Sequence, residues 1–336
     1  MTPARLRVLR AAAQLLAGEP ARTAEEVVRH HLALQAQDLR AAQLALRARV
    51  AGLTPQDVDA ALNDRAFVVA WVNRGTLHFI CPEDVHWLVA LTAPTQAAAV
   101  KRRLKLDGIE PRRAQRAIKT IGRALADDGP LTRAQLVERT GVEGQPFIHL
   151  AFAACYEGVA VRGPLVGRQH AYVRTEDWIG PAPKRIDRDA SLAELARRYL
   201  AAFGPATEAD LAYWSGLPKR DARAGLESIA RELVQHDGGL VDLKKRRAAP
   251  ARAPVKLLPL WDNYLLGWKD RAFQLDPQHT LNIYANGMIG PAASRGGMLV
   301  GRWTAPKGRV QIEPFDGPAT GFAAEAKSVE RFIARR

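Results

Sequence analysis

The sequence predicts a mainly helical α+β chain: three tandem winged-helix units and a small C-terminal β domain. Three observations predict it. Helical patterns followed by a two-stranded ribbon fill residues 4–80. A helix–helix–ribbon pattern then recurs twice with a shared signature. From Val255 onward the pattern changes to short strands separated by Gly, Pro and Asn. At 336 residues, 47% hydrophobic and 25% charged, the chain can bury a sizeable core.

The elements follow in order. Residues 4–17 place Leu6, Leu9, Ala13 and Leu16 on one helical stripe, and the stretch from Gly18 to Arg22 breaks it. Thr23-Ala-Glu-Glu is an N-cap followed by acidic residues, so a second helix starts there and runs through Val27, Val28, His31 and Leu32 to the stretch Leu34-Gln35-Ala36-Gln37-Asp38. Thr54-Pro opens a third helix with Val58, Ala61 and Leu62 inward. Ala66–Trp71 and Thr76–Ile80 are β-like and joined by the turn Asn73-Arg74-Gly75. Three helices and a ribbon make a winged helix, a helix-turn-helix variant. A long helix after Pro82 reaches about Leu106, ending in the basic run Lys101-Arg102-Arg103-Leu-Lys105.

Gly129-Pro-Leu-Thr-Arg-Ala-Gln-Leu-Val-Glu-Arg-Thr-Gly141 aligns with Gly204-Pro-Ala-Thr-Glu-Ala-Asp-Leu-Ala-Tyr-Trp-Ser-Gly216, six of thirteen positions matching. In each copy Thr caps a helix and the second Gly closes it. A further helix follows each, Pro146 to Glu157 and Pro218 to about Leu233. A ribbon follows each in turn: Val159–Arg162 with Gln169–Val173, and Leu233–Gln235 with Gly239–Leu243. A repeated supersecondary unit is stronger support than either copy alone. The strands after Val255 form a small barrel or sandwich, with Leu281–Tyr284 among them, and a final helix runs from Ala323 to Ile333. The expected domains are residues 1–110, 111–183, 190–247 and 255–336, divided by Pro- and charge-rich linkers.

Charge is the outlier: 49 Lys+Arg against 35 Asp+Glu, a net of +14. That balance points to a polyanionic partner, nucleic acid or an anionic membrane surface. No apolar run approaches the roughly 20 residues that span a bilayer, and the N-terminus lacks a signal-peptide pattern. The expectation is nucleic acid, in the cytoplasm and nucleoid-associated, with no membrane contact and a monomeric chain. Cys81 and Cys155 lie far apart with no ligand-spaced partner, so they read as reduced core thiols, and neither a metal site nor a phosphate loop is expected. No cofactor is implied.

Gln35 and Gln37 admit two readings. A Gln amide can hold a water, its carbonyl accepting one water proton, or the pair can satisfy a helix C-terminus. Residues two apart on a helix point about 200° apart, so both can serve one site only if the helix ends or turns near them. Asp38 is a base if the chain turns it inward, and otherwise a cap, the reading its residue type favours. His78 in its strand is a site-lining or a satisfied structural histidine. Arg74 at the first wing and Arg168 in the second are candidate phosphate contacts. So are Lys101, Arg102 and Arg103; Lys219, Arg220 and Arg223, which open a recognition helix; and Lys269 and Arg271.

Five stretches, in order, resemble the winged-helix DNA-binding family of bacterial AlkZ- and YcaQ-like DNA glycosylases. They are Leu34-Gln35-Ala36-Gln37; Trp71-Val-Asn-Arg-Gly-Thr-Leu-His78; Asp210-Leu-Ala-Tyr-Trp-Ser-Gly-Leu217; Leu258 through Arg271, with Trp261-Asp-Asn-Tyr264 inside it; and Gly301-Arg-Trp303. The resemblance covers nearly the whole chain. It implies three winged helices and a C-terminal β-barrel around a concave basic channel for duplex DNA. Gln35-Ala36-Gln37 matches the Gln-apolar-Gln motif of the AlkZ-like members. By resemblance, Gln35 and Gln37 are catalytic, placing the water that attacks C1′ of an N7-alkylated purine nucleotide, bulky adducts and cross-links included.

The chemistry permits this. Glycosylases of neutral bases need a carboxylate. An N7-alkylguanine already carries positive charge and leaves as a neutral base without an acid. The remaining work is placing water and stabilising a cationic sugar. An amide pair therefore implies a narrow substrate class and no lyase step, which would need an amine nucleophile. The alternative is a non-enzymatic winged-helix DNA binder or regulator, which would prefer a sequence over a lesion.

Overall fold

The computed structural model describes residues 1–167, 169–246 and 248–335. The chain divides into two compact units. One comprises Met1–Val58, Leu192–Trp214 and Pro218–Arg336; the other comprises Asp59–Ser191 and Ser215–Leu217.

The N-terminal segment of the first unit begins with α1 (Pro3–Ala13), capped by the Thr2 side chain. It is shorter than the expected 4–17, because Leu15 turns to φ 56°. α2 (Ala24–His31) is capped by Thr23, whose hydroxyl accepts from the Glu26 N–H at 3.1 Å. It ends before the glutamines rather than reaching them. β1 (Leu34–Gln35) follows, then α3 (Leu39–Arg47), a helix the sequence reading did not anticipate. α4 (Pro55–Asn63) starts where Thr54-Pro predicts, with Thr54 and Asp57 bonded reciprocally at its entry.

In the second unit β2 (Val68–Val72) and β3 (Thr76–Ile80) form the expected hairpin, in register from Val68↔Ile80 to Val72↔Thr76. Its turn uses Asn73 at φ 54° and Gly75 at φ 82°, left-handed conformations natural to Asn and Gly. α5 (Pro82–Leu106) runs the predicted length despite Pro94 inside it. α6 (Pro111–Asp128) was not foreseen. α7 (Arg133–Thr140) carries a full capping box between Thr132 and Gln135 and closes on Gly141 in the left-handed region. α8 (Gly144–Tyr156) leads to the antiparallel strands β4 (Ala160–Val166) and β5 (Gln169–Arg174), followed by the short α9 (Thr175–Ile179). The two ribbons do not stand apart. β2 pairs with β4 through Val69↔Arg162, so these strands run β3-β2-β4-β5 in one sheet. Cys81 and Cys155 are buried, and neither is in a disulfide. Burial pushes the Cys155 thiol up to about 12, which keeps it a thiol.

α10 (Arg188–Phe203) leads back into the first unit, followed by α11 (Glu208–Ser215) and α12 (Lys219–Ser228). Thr207 and Asp210 repeat the capping box of Thr132 and Gln135. α12 stops short of the expected Leu233, giving way at Ile229 to a 3₁₀ turn over Ala230–Glu232. The third ribbon is β6 (Leu233–His236) against β7 (Leu240–Leu243). β8 (Lys256–Leu258) and α13 (Asn263–Leu266) come next. The expected strand Leu281–Tyr284 is instead α14 (Thr280–Ile283), a single turn that follows directly on a 3₁₀ turn over Pro277–His279 capped by Asp276. β9 (Tyr284–Ala285) and β10 (Met288–Ile289) form a small ladder. β11 (Ala292–Arg295), β12 (Met298–Thr304) and β13 (Gln311–Pro314) pair antiparallel with β8 in the order β13-β12-β11-β8. α15 (Ala323–Ala334) closes this sheet over a core of Leu44, Leu257, Ala293, Trp303, Phe322, Val329 and Phe332. Leu44 comes from α3, so the helix after the glutamines is anchored in the C-terminal core.

Among the described residues no helix is long and apolar enough to cross a membrane.

Candidate active site

The chain enters the glutamine stretch through a sharp turn. Leu32, fully buried, sits at φ 62°, ψ −50°, and the Ala33 N–H donates to the His31 carbonyl at 2.7 Å. That is a γ-turn of the rare positive-φ kind. A β-carbon there is strained by about 1–3 kcal/mol, so the surrounding structure has to hold it. The turn ends α2 and sends Leu34–Gln35 out as extended chain. The 200° separation a helix would impose on Gln35 and Gln37 is thereby removed. Gln35 and Ala36 are buried, and Gln37 is exposed.

The segment is held at both ends. After it, the Asp38 carboxylate accepts from the Ala41 N–H at 2.7 Å and caps α3. Before it, the side-chain amide of Asn263, the first residue of α13, engages two backbone groups. The Gln35 N–H donates to Asn263 Oδ1 at 3.0 Å, and Asn263 Nδ2 donates to the Ala33 carbonyl at 3.2 Å. Behind Asn263 lies an ion pair with no solvent exposure. The Arg49 guanidinium grips Asp262 with two bonds of 2.8 Å, and Asp262 also accepts from the Tyr264 N–H. Arg49 donates further to the carbonyls of Gln14 and Ala45 and to Gln14 Oε1. Ala45 belongs to α3, so one guanidinium ties the helix after the glutamines to the loop that clamps them.

Two aromatic residues of the Trp261–Trp268 stretch are structural. Tyr264 and Trp268 are fully buried; the Trp268 indole N–H donates to the Phe203 carbonyl, and Tyr199 Oη donates to that of Gly267. The sequence singled out this stretch but neither Asn263 in it as a clamp nor the Arg49–Asp262 pair. The stretch itself was visible, but the contact of Asn263 with residues 33 and 35 was not.

The candidate cations differ in surroundings. In the first unit Lys219, Arg220, Arg223 and Lys269 are exposed. Arg220 pairs with Asp221 and Arg223 with Glu208. Arg271 is half-buried: it donates to Tyr213 Oη at 2.6 Å and lies 4.1 Å from the Tyr284 ring centre, an arrangement that fixes its head group. In the second unit Lys101, Arg102 and Arg103 are exposed at the end of α5 and make no ion pair among the described residues. Arg74 is half-buried in the β2–β3 turn and packs on Gly216 so closely that a side chain at 216 would meet it at 3.0 Å. Arg168 lies outside the described residues.

His78 sits in β3 with its ring bonded to the Thr76 carbonyl at 2.8 Å. Burial, reinforced by the charge of Arg74, drives its pKa down to about 3. His170 in β5 is driven to about 4 by burial and Arg162. Both stay neutral in the folded unit at neutral pH. Their folded pKa values lie below the unfolded value of about 6.5. The stability they permit is thus complete above pH 6.5 and falls away as pH drops toward 4. The expected slope is about 1.4 kcal/mol per pH unit per histidine. Urea unfolding between pH 4 and 7 should show it, and His78→Phe should remove one proton from the linkage. An unchanged slope in that variant would mean that His78 is solvated.

Among the described residues no cluster of His, Cys, Asp or Glu could hold a metal ion. The arrangement offers two neutral amides two residues apart, one buried and one exposed, on a strip of backbone held at both ends.

A family model described as DNA glycosylase AlkZ-like matches residues 28–335. An interstrand DNA cross-link repair glycosylase of Streptomyces sahachiroi is 26% identical over 343 residues, covering 92% of this chain and 90% of that protein. The solved structure of the Streptomyces sahachiroi DNA glycosylase AlkZ superposes with a TM-score of 0.85 at 23% identity, over 99% of this chain and 97% of the other.

Proposed function

The chain belongs to the AlkZ-like DNA glycosylase family, and from that premise we propose that it excises N7-alkylated purines from duplex DNA through Gln35 and Gln37. Family membership makes it a DNA glycosylase, a hydrolase of N-glycosyl bonds. The observation that carries the finer reading is the pair of uncharged amides held off the helix between the Asn263 clamp and the Asp38 cap. In the reaction the C1′–N9 bond breaks and its electron pair neutralises the cationic base. Water adds to C1′ and its proton passes to solvent. The amides orient that water by accepting its protons. With Asp38 committed to its cap, no carboxylate is assigned to the step.

Bulky adducts and interstrand cross-links, in DNA repair or self-resistance, fit this reading. The name of the curated relative supports them, and so does an open Gln37. The partner is duplex DNA bearing the lesion, bound by a monomer without a cofactor. The winged-helix units, the barrel and the basic channel expected of the family belong to the same proposal.

The test is the product. Incubation with duplex DNA carrying N7-methylguanine should release the free base and leave an unbroken strand with an abasic site. Borohydride should trap no protein on DNA, because no amine takes part. A trapped adduct would overturn the hydrolytic reading. A second expectation concerns binding. Replacing Lys101, Arg102 and Arg103 together with Ala should reduce the slope of log affinity against log salt by about 2.7, at about 0.9 per phosphate contact. Anisotropy titrations across a KCl series would measure it, and an unchanged slope would remove these residues from the interface.

A further inference from the structure

We propose that Asn263 is a positioning residue for the glycosylase reaction, holding Gln35 at the angle from which its amide meets the water; this rests on the reading of Gln35 given above. Asn263 is only 3% exposed, so it does not reach substrate. Its side chain instead acts as a piece of neighbouring strand. It accepts from the N–H of residue 35 and donates to the carbonyl of residue 33. This is the pattern by which one residue of a parallel ladder engages two residues flanking its partner.

The position of that clamp matters. It grips the chain directly after the γ-turn at Leu32, a conformation that relaxes unless something holds it. In extended chain, side chains alternate between faces, so a small rotation or slip at Ala33 carries the Gln35 amide away from its direction. Gln37 has its own restraint in the Asp38 cap. Asn263 is what holds the Gln35 N–H. The Arg49–Asp262 pair sets Asn263 in turn, since Asp262 is both the buried partner of Arg49 and the cap of α13. A core residue that merely filled space would need neither bond.

The test uses the whole protein and duplex DNA carrying N7-methylguanine, with enzyme in excess so that chemistry is read in a single turnover. Asn263→Ala should slow base release by roughly 10- to 100-fold, as an ångström-scale displacement does, with DNA affinity unchanged. Hydrogen exchange at residues 33–35 should accelerate, while exchange around Trp268 stays as in the wild type. Asn263→Asp keeps the acceptor for Gln35 but turns a carboxylate toward the Ala33 carbonyl. Protonation restores the lost donor, so release by this variant should rise between pH 8 and 5, measured against the enzyme-free control and the wild type. That pH profile belongs to the clamp and also serves if Asn263→Ala fails to fold. Adding Asn263→Ala to Gln35→Ala should cost no further rate.

Wild-type release by Asn263→Ala, a pH profile of Asn263→Asp parallel to the wild type, or a full extra loss on the Gln35→Ala background would each overturn the proposal. Gln35→Ala alone, with Asn263 intact, reports separately on the reading beneath it. Release by that variant at the wild-type rate would sink the reading, and the role of Asn263 with it.

Discussion

Gln37→Ala and Gln35→Ala will each slow release of N7-methylguanine by about 100-fold or more, the scale on which one well-placed polar group acts in a transition state. The barrier for a cationic base lies mostly in bringing water to C1′ and stabilising charge on the sugar, and the two amides are the groups assigned to both tasks. Binding to intact duplex should stay within about two-fold, because uncharged side chains release no counterions. The double variant should be scarcely slower than the worse single one, since two groups holding one water act as a unit. The measurement is single-turnover base release beside an anisotropy titration for each protein. Independent, multiplicative losses would mean that the glutamines hold different things.

Asp262→Ala should destabilise the first unit by about 3–5 kcal/mol, the usual result of stranding one charge of a buried pair. Arg49 and Asp262 have no solvent exposure, and the guanidinium spends every remaining donor on Gln14 and Ala45. Removing the carboxylate leaves a buried cation facing carbonyls alone. Against the 5–15 kcal/mol that holds a typical domain together, this is a large fraction. Arg49→Met combined with Asp262→Leu should recover part of the loss, because the apolar pair strands no charge. Urea unfolding followed by tryptophan fluorescence reads both. A loss under about 1 kcal/mol in Asp262→Ala would show that water reaches the pair.

Much of this was legible in the sequence, and the reasons differ by element. The β2–β3 hairpin and α5 follow from alternation, turn residues and helical length, all local signals. The two capping boxes, Thr132 with Gln135 and Thr207 with Asp210, follow from the repeated signature. The end of α2 did not. A γ-turn at a leucine has no sequence mark, since Leu is the wrong residue for positive φ, and only its surroundings hold it there. α3 was missed although Asp38 reads as a cap, because no helix over Leu39–Arg47 was laid after it. The pairing of two ribbons in one sheet and the strand that became α14 depend on contacts between distant segments. The site divides the same way. Gln35 and Gln37 could be named from a motif, whereas the bond from Gln35 to Asn263 spans 228 residues of chain.

The most direct test of the central claim compares two lesions in one duplex sequence, N7-methylguanine and uracil, each incubated with the wild-type protein. Two neutral amides can release a base that already carries its positive charge, and they lack the means to expel a neutral one. Release of N7-methylguanine with no release of uracil is the expected result. Uracil released at a comparable rate would contradict the account, because it would require an acid or a carboxylate that the account does not assign.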